Sequence, residues 1–223
     1  MARLARLVLP GIPHHVTQRG NRRDRTFFEE SDYALYHDLL REAAARARVG
    51  IWSYCLMPNH VHIILTPADE DGLWRTFGDL HRRYTGYINA RMRTSGHLWQ
   101  GRFGSVAMDE AHLHHAIRYV ALNPVRARLV ARAEEWPWSS ARAHLGGAPD
   151  GVVELAPVQA RIPDFAAFLG ESCDEEVSFV PLRKSEGSGR PIGDVAWLRA
   201  LEQSTGRSII PRKPGRRKAP IGD

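Results

Sequence analysis

At 223 residues, 43% of them hydrophobic and 25% charged, the chain is long enough for one main domain with appended segments, and its composition excludes a disordered or fibrous protein. A formal net charge of +6 favours polyanionic partners such as nucleic acid or an anionic membrane surface. Cys55 and Cys173 are too few for a disulfide framework or a cysteine-rich metal site, which favours a reducing cytoplasm.

No apolar run approaches the roughly 20 residues of a spanning helix. The start, MARLARLVLPGIPHH, is short, is broken by Pro10 and lacks a convincing cleavage site, so neither secretion nor a membrane is expected. In chain order, His14 to Gln18 reads as a strand opening into the basic loop RGNRRD. Ser31 is placed to cap a helix running to about Arg48, with Gly50 ending it. Two apolar runs, Ile51 to Met57 and His60 to Thr66, are separated only by Pro58 and Asn59, which suits an antiparallel hairpin.

Leu73, Phe77, Leu80, Tyr84, Ile88 and Met92 recur at three- and four-residue intervals and predict a helix over roughly Asp71 to Arg93. A strand region weakened by glycines covers Leu98 to Met108. A third helix is expected from Asp109 to about Leu122, ended or kinked by Pro124. The order strand, helix, strand, strand, helix, strand, helix predicts an α+β fold: a ferredoxin-like antiparallel sheet with packed helices, followed by a C-terminal extension. Beyond Leu145 the composition shifts. The domain reading is a main unit over 1–145, a connecting segment over 146–183 without an assignable role, and a flexible linker, short helix and basic tail over 184–223, the helix capped by Asp194.

Chemistry concentrates in two places. His60 and His62 flank Val61 in an apolar strand, where residues i and i+2 share a face, so two imidazoles could share one ion. The plainer reading is a histidine pair at a sheet surface. On the third helix Tyr119 lies nearly opposite the apolar stripe of Leu113, Ile117 and Val120, so it is expected to face away from that helix's core contact. Asn123 follows Tyr119 by four residues and His115 precedes it by four, which puts the three on one face. An ordinary half-buried tyrosine and a helix-ending asparagine before proline are the plainer readings here.

The segments PHHVTQRGNRR, LMPNHVHIIL, LWQGRFGS, YVALNPVRARLV and WPWSSARAHL occur in that order. Together they resemble the REP-associated tyrosine transposases, a branch of the single-tyrosine HUH transposases of the IS200-like superfamily. The resemblance covers about residues 10–145 and extends to the tail through GRPIGDVAWLRALE and PRKPGRRK. It implies that His60 and His62 bind the catalytic ion, that Tyr119 attacks the phosphodiester and that Asn123 completes the metal site. Mg²⁺ or Mn²⁺ is the ion it implies, whereas two imidazoles and an amide oxygen would also accept zinc.

A phenol has a reference pKa of about 10, so attack needs help in deprotonation, for which His115 is a candidate. A 5′-phosphotyrosine intermediate would conserve the bond energy for rejoining, in keeping with the missing phosphate-binding loop. The implied partner is single-stranded DNA carrying repetitive extragenic palindromic hairpins, with a monomer or homodimer, and the implied location is cytoplasmic and nucleoid-associated. Candidate DNA contacts are Arg19, Asn21, Arg22 and Arg23 in the first loop, with Arg82, Arg83, Arg102 and Arg126, and Lys213, Arg216 and Arg217 in the tail. Two rivals stand beside this reading: a noncatalytic DNA- or RNA-binding regulator, and a metal hydrolase that uses water as its nucleophile.

Overall fold

The computed structural model describes residues 7–172 and 178–210. Its first seven strands and α-helices are β1 (His14–Arg19), α1 (Glu30–Ala47), β2 (Val49–Met57), β3 (His60–Pro67), α2 (Gly72–Met92), β4 (Gly104–Ala107) and α3 (Glu110–Arg126). The strands form one sheet in the order β2-β3-β1-β4 with every neighbouring pair antiparallel, which is the ferredoxin-like arrangement expected from the element order. Pro58 and Asn59 form the tight turn of the β2–β3 hairpin, with Met57 opposite His60. Proline is tolerated there because it lies outside the ladder.

Alternation along the strands gives the sheet two different faces. Val16, Tyr54, Leu56, Val61, Ile63 and Leu65 join Tyr36, Leu40, Phe77, Leu80 and Tyr84 of α1 and α2 in one core. Cys55, Met57, Ile64 and Val106 on the opposite face join Leu113, Ile117 and Val120 of α3 in a second. His15, His60 and His62 belong to this second face, because His62 pairs with Cys55 on one side and His15 pairs with Ile64.

Local details differ from the sequence reading where side chains outcompete simple rules. Helix α1 starts two residues earlier than Ser31 would place it, since Glu29 and Asp32 cap one another reciprocally, and it ends at Arg48 in the left-handed conformation rather than at Gly50. Gly50 lies in β2, where a side chain would meet the Glu154 carboxylate at 2.7 Å. Pro124 does not stop α3, which runs through it to Arg126. The last strand shrinks to Gly104–Ala107 because residues 98–103 turn away through Gly101, whose φ of +149° suits glycine.

The segment after residue 145 is more than a connector. After α4 (Ala141–His144), which ends just before it, the short helices α5 (Ala156–Gln159) and α6 (Phe165–Gly170) precede α7 (Val180–Ser188) and α8 (Val195–Thr205). Val158, Ile162, Phe165, Phe179 and Leu182 complete the core around α3. The stretch expected to be a flexible linker is helical through Ser188, and Ile192 then bridges to Met108 at the open edge of β4, which occupies part of that edge. Asp194 caps α8 as expected, its carboxylate accepting from the backbone N–H of Trp197.

Candidate active site

Strand register builds the centre of the site. His60 lies opposite Arg19 and His62 opposite Thr17 on β1, so a cation and a hydroxyl flank the imidazole pair on the same face. The His60 and His62 rings stand edge to face with centroids 4.8 Å apart. Burial is the first cause of low basicity in both: His60 is pushed down to about 3, with Arg19 adding to the effect, and His62 falls well below the ordinary value. Both are therefore neutral near pH 7, the form in which imidazole binds a metal.

Each ring is also held by its other nitrogen. His62 Nδ1 is 2.9 Å from Nε2 of His15, a fully buried residue whose pKa burial lowers to about 4, and the two rings stack at 5.1 Å. His60 Nδ1 donates to Asn59 Oδ1 at 2.6 Å. Such partners fix tautomer and ring orientation, so an ion would be held through the two Nε2 atoms.

Helix α3 lies against this face. The Tyr119 ring stands edge-on to His62 at 5.3 Å and to His15 at 6.3 Å. The ring is only 7% exposed, which corrects the expectation that it faces away from the core. The expectation set Tyr119 opposite the apolar stripe of α3, whereas its ring meets the sheet at His62 and His15 and is also covered by Phe179 at 5.2 Å. Arg126, two turns along, places its guanidinium 5.3 Å from the Tyr119 ring and 4.8 Å from that of Phe179.

Asn123 is likewise buried, and its Nδ2 has no hydrogen-bond partner among the described residues. A buried amide left in this state costs stability unless another group meets it. Two neutral imidazoles side by side are ligands of the kind a divalent ion takes, and Asn123 could add its Oδ1 but not its Nδ2; no group of three or more His, Cys, Asp and Glu side chains able to hold a metal occurs among the described residues. His115 is half-buried, its Nδ1 is buried without a partner, and burial again lowers its pKa.

Apart from Arg102, which is exposed on the loop before β4, the remaining sequence-derived positions fall into three groups. Arg19, Asn21, Arg22 and Arg23 form a loop tied to the hairpin turn beside His60, with the Gly20 N–H donating to Asn59 O at 2.8 Å and Asn59 Nδ2 donating to Arg23 O at 2.9 Å. Arg22 and Arg23 both take positive φ, 54° and 66°, a conformation that non-glycine residues hold only where tertiary contacts enforce it. Arg82 and Arg83 are on α2, across the sheet from the histidines, and are ion-paired: Arg82 with Asp79 at 2.8 Å and Arg83 with Glu42 at 2.7 Å. Lys213, Arg216 and Arg217 lie outside the described residues.

Sequence reasoning missed His15 and Phe179. The alternation of β1 does put His15, Thr17 and Arg19 on one face, but only the register shows that this face carries His60 and His62. Nothing in the sequence marked Phe179.

A family model described as "Transposase IS200 like" matches residues 10–123, just over half of the chain. The chain belongs to the IS200-like transposase family. A REP-associated tyrosine transposase of Escherichia coli is 24% identical over 110 residues, covering 47% of this chain and 64% of the relative. A Haemophilus influenzae relative is 26% identical over 98 residues, covering 39% of this chain and 55% of the relative. The matched region thus spans less than two thirds of either curated relative.

Among solved structures, a REP-associated tyrosine transposase bound to a REP hairpin superposes with a TM-score of 0.56 at 21% identity, covering 69% of this chain and 89% of that one. That likeness shows the shared fold. This transposase-family chain has no helix among its described residues long and apolar enough to cross a membrane.

Proposed function

We propose that the chain cuts and rejoins single-stranded DNA at repetitive hairpin sequences, with Tyr119 as the nucleophile. The observation that carries this reading is the edge-on contact of the Tyr119 ring with His62 at 5.3 Å within one chain. Membership of a transposase family and the REP-associated relatives support the substrate class. The phenol and both imidazoles of this contact come from the same chain.

His60, His62 and Asn123 would hold Mg²⁺ or Mn²⁺, with water and phosphate oxygens filling the remaining positions. The chemistry such an ion supplies when bound is polarisation of the scissile phosphodiester and neutralisation of its developing charge. His15 and Asn59 orient the two imidazoles through their Nδ1 atoms. Tyr119 Oη forms a bond to phosphorus as the bond from phosphorus to the 3′ oxygen breaks. The phenolic proton passes to His115, directly or through water, and the departing oxygen takes a proton to become a 3′-hydroxyl.

His115 suits the base role because burial keeps it neutral and its Nδ1 has no partner among the described residues. The phosphotyrosine conserves the energy of the broken bond, so a 3′-hydroxyl can reverse the step without ATP. Nucleoid association follows from such a partner.

The test incubates the full chain with labelled hairpin-bearing single strands and Mn²⁺ or Mg²⁺, then resolves adducts by denaturing electrophoresis. The wild-type chain gives a protein–DNA adduct, and Tyr119→Phe lowers its yield by about a thousandfold or more while leaving hairpin binding intact. An undiminished adduct in Tyr119→Phe rejects Tyr119. Wild-type cleavage with no adduct at any time makes water the nucleophile.

A further inference from the structure

A second feature of the same sheet face is a cleft of about 280 Å³ at the β1–β4 edge, lined among others by Thr17, Arg19, Arg102 and Arg183. Its walls are fixed in advance. The Gln100 N–H donates to Arg19 O at 2.9 Å, and the buried Gln18 side chain donates to Gly101 O at 2.9 Å, so the loop after Trp99 is fastened to β1. Helix α7 closes the third side, with Leu182 buried in the core around α3 and Arg183, the next residue, exposed at the cleft.

None of the three arginines has a carboxylate partner among the described residues. Elsewhere on the surface Arg46, Arg75, Arg82, Arg83 and Arg91 all do. Three uncompensated guanidinium groups around one small cleft repel one another, an arrangement that an anion relieves. Arg19 is shared with the cutting centre, since it lies opposite His60 in the register and its charge bears on both His60 and His62.

We propose that this cleft is a phosphate site that grips the backbone of the DNA strand next to the bond being cut, with Arg183 of α7 as its outer arm. The inference rests on the strand-cutting reading and deepens it. It assigns a DNA contact to the region beyond the family match, which ends at Asn123. Guanidinium is the group suited to this task, because its planar donors meet phosphate oxygens in pairs. The glycine at 187 on the rim leaves room, since a side chain there would meet no atom within 4 Å.

Binding of an oligothymidylate of about 12 nucleotides, a length within the reach of single-strand grooves, tests this without cleavage. Fluorescence anisotropy is measured with the full chain in EDTA across a salt series. Arg183→Gln and Arg102→Gln each reduce the slope of log K against log salt by about 0.7 and weaken binding about fivefold at about 0.1 M salt, the effect of one lost phosphate contact to a single strand.

Arg183→Lys keeps most of the slope. Arg142→Gln, on α4 outside the cleft, leaves slope and affinity unchanged. An unaltered slope in Arg183→Gln overturns the proposal, and so does an equal loss in Arg142→Gln, which would reduce the effect to overall charge. Both results are independent of the Tyr119 adduct assay, so the cleft can fail while the cutting reaction stands.

Discussion

The two faces of one sheet make opposite use of aromatic and imidazole side chains. On the α1–α2 face Phe27 stacks on Tyr33 at 4.4 Å, Tyr36 meets Tyr84 at 5.1 Å, and His81 sits among Phe77, Trp99 and Tyr36. Two of the polar tips find partners: Tyr84 donates to Thr26 O at 2.7 Å, and the Tyr36 hydroxyl meets His81 Nε2 at 3.1 Å, whereas the buried Trp99 Nε1 has none among the described residues. That face is closed. On the α3 face His15, His60, His62, Tyr119 and Asn123 are buried or nearly so at one end of an otherwise apolar core. The Asn123 amide there has no partner for its Nδ2 among the described residues, and the imidazoles are held neutral by burial rather than by ion pairs. Burial lowers the pKa of His81 on the closed face as well, so what sets the α3 face apart is the gathering of three imidazoles beside a tyrosine.

Substitutions can break this division. The largest effect is expected on the closed face. Phe77→Ala removes a fully buried ring that meets His81 and Phe103, and should cost about 3–5 kcal/mol of stability. Urea unfolding monitored by tryptophan fluorescence gives the value. At a temperature where the variant remains folded, its adduct yield per folded molecule should match the wild type, and a yield reduced tenfold would show that the two faces are coupled.

On the other face His15→Ala should lower Mn²⁺-dependent adduct formation about 10–100-fold, the usual cost of removing a group that orients a metal ligand. Raised Mn²⁺ should restore part of the loss and His15→Gln should retain more activity. An adduct yield in His15→Ala that is normal at limiting Mn²⁺ would remove His15 from the site. The smallest effect belongs to the surface. Arg83→Gln breaks an exposed pair with Glu42 and should leave the urea unfolding midpoint nearly unchanged. Because Arg83 is across the sheet from the histidines and already paired, the same variant should leave the salt slope of DNA binding unchanged. A fall like that expected for Arg183→Gln would extend the DNA path to the α1–α2 face.

Much of this protein was determined by local pattern. Three- and four-residue periodicity marks α2, the two-residue separation of Ile51–Met57 and His60–Thr66 marks the hairpin, and alternation puts His60 and His62 side by side. The relation of His115, Tyr119 and Asn123 follows from helical spacing alone. These features are legible because each depends only on neighbours a few residues away in the chain.

Tertiary structure decided the rest. The pairing of β1 with β3 brought His15 and Arg19 to the imidazoles, and residues beyond 145 folded back to bury Tyr119 under Phe179 and to bring Arg183 to the β1–β4 edge. Long-range contacts also overrode local rules: α3 continues through Pro124 because its far side is covered by later helices, where burial outweighs the missing hydrogen bond. Strand register and helix coverage join residues tens of positions apart, so no period or spacing in the chain encodes them directly.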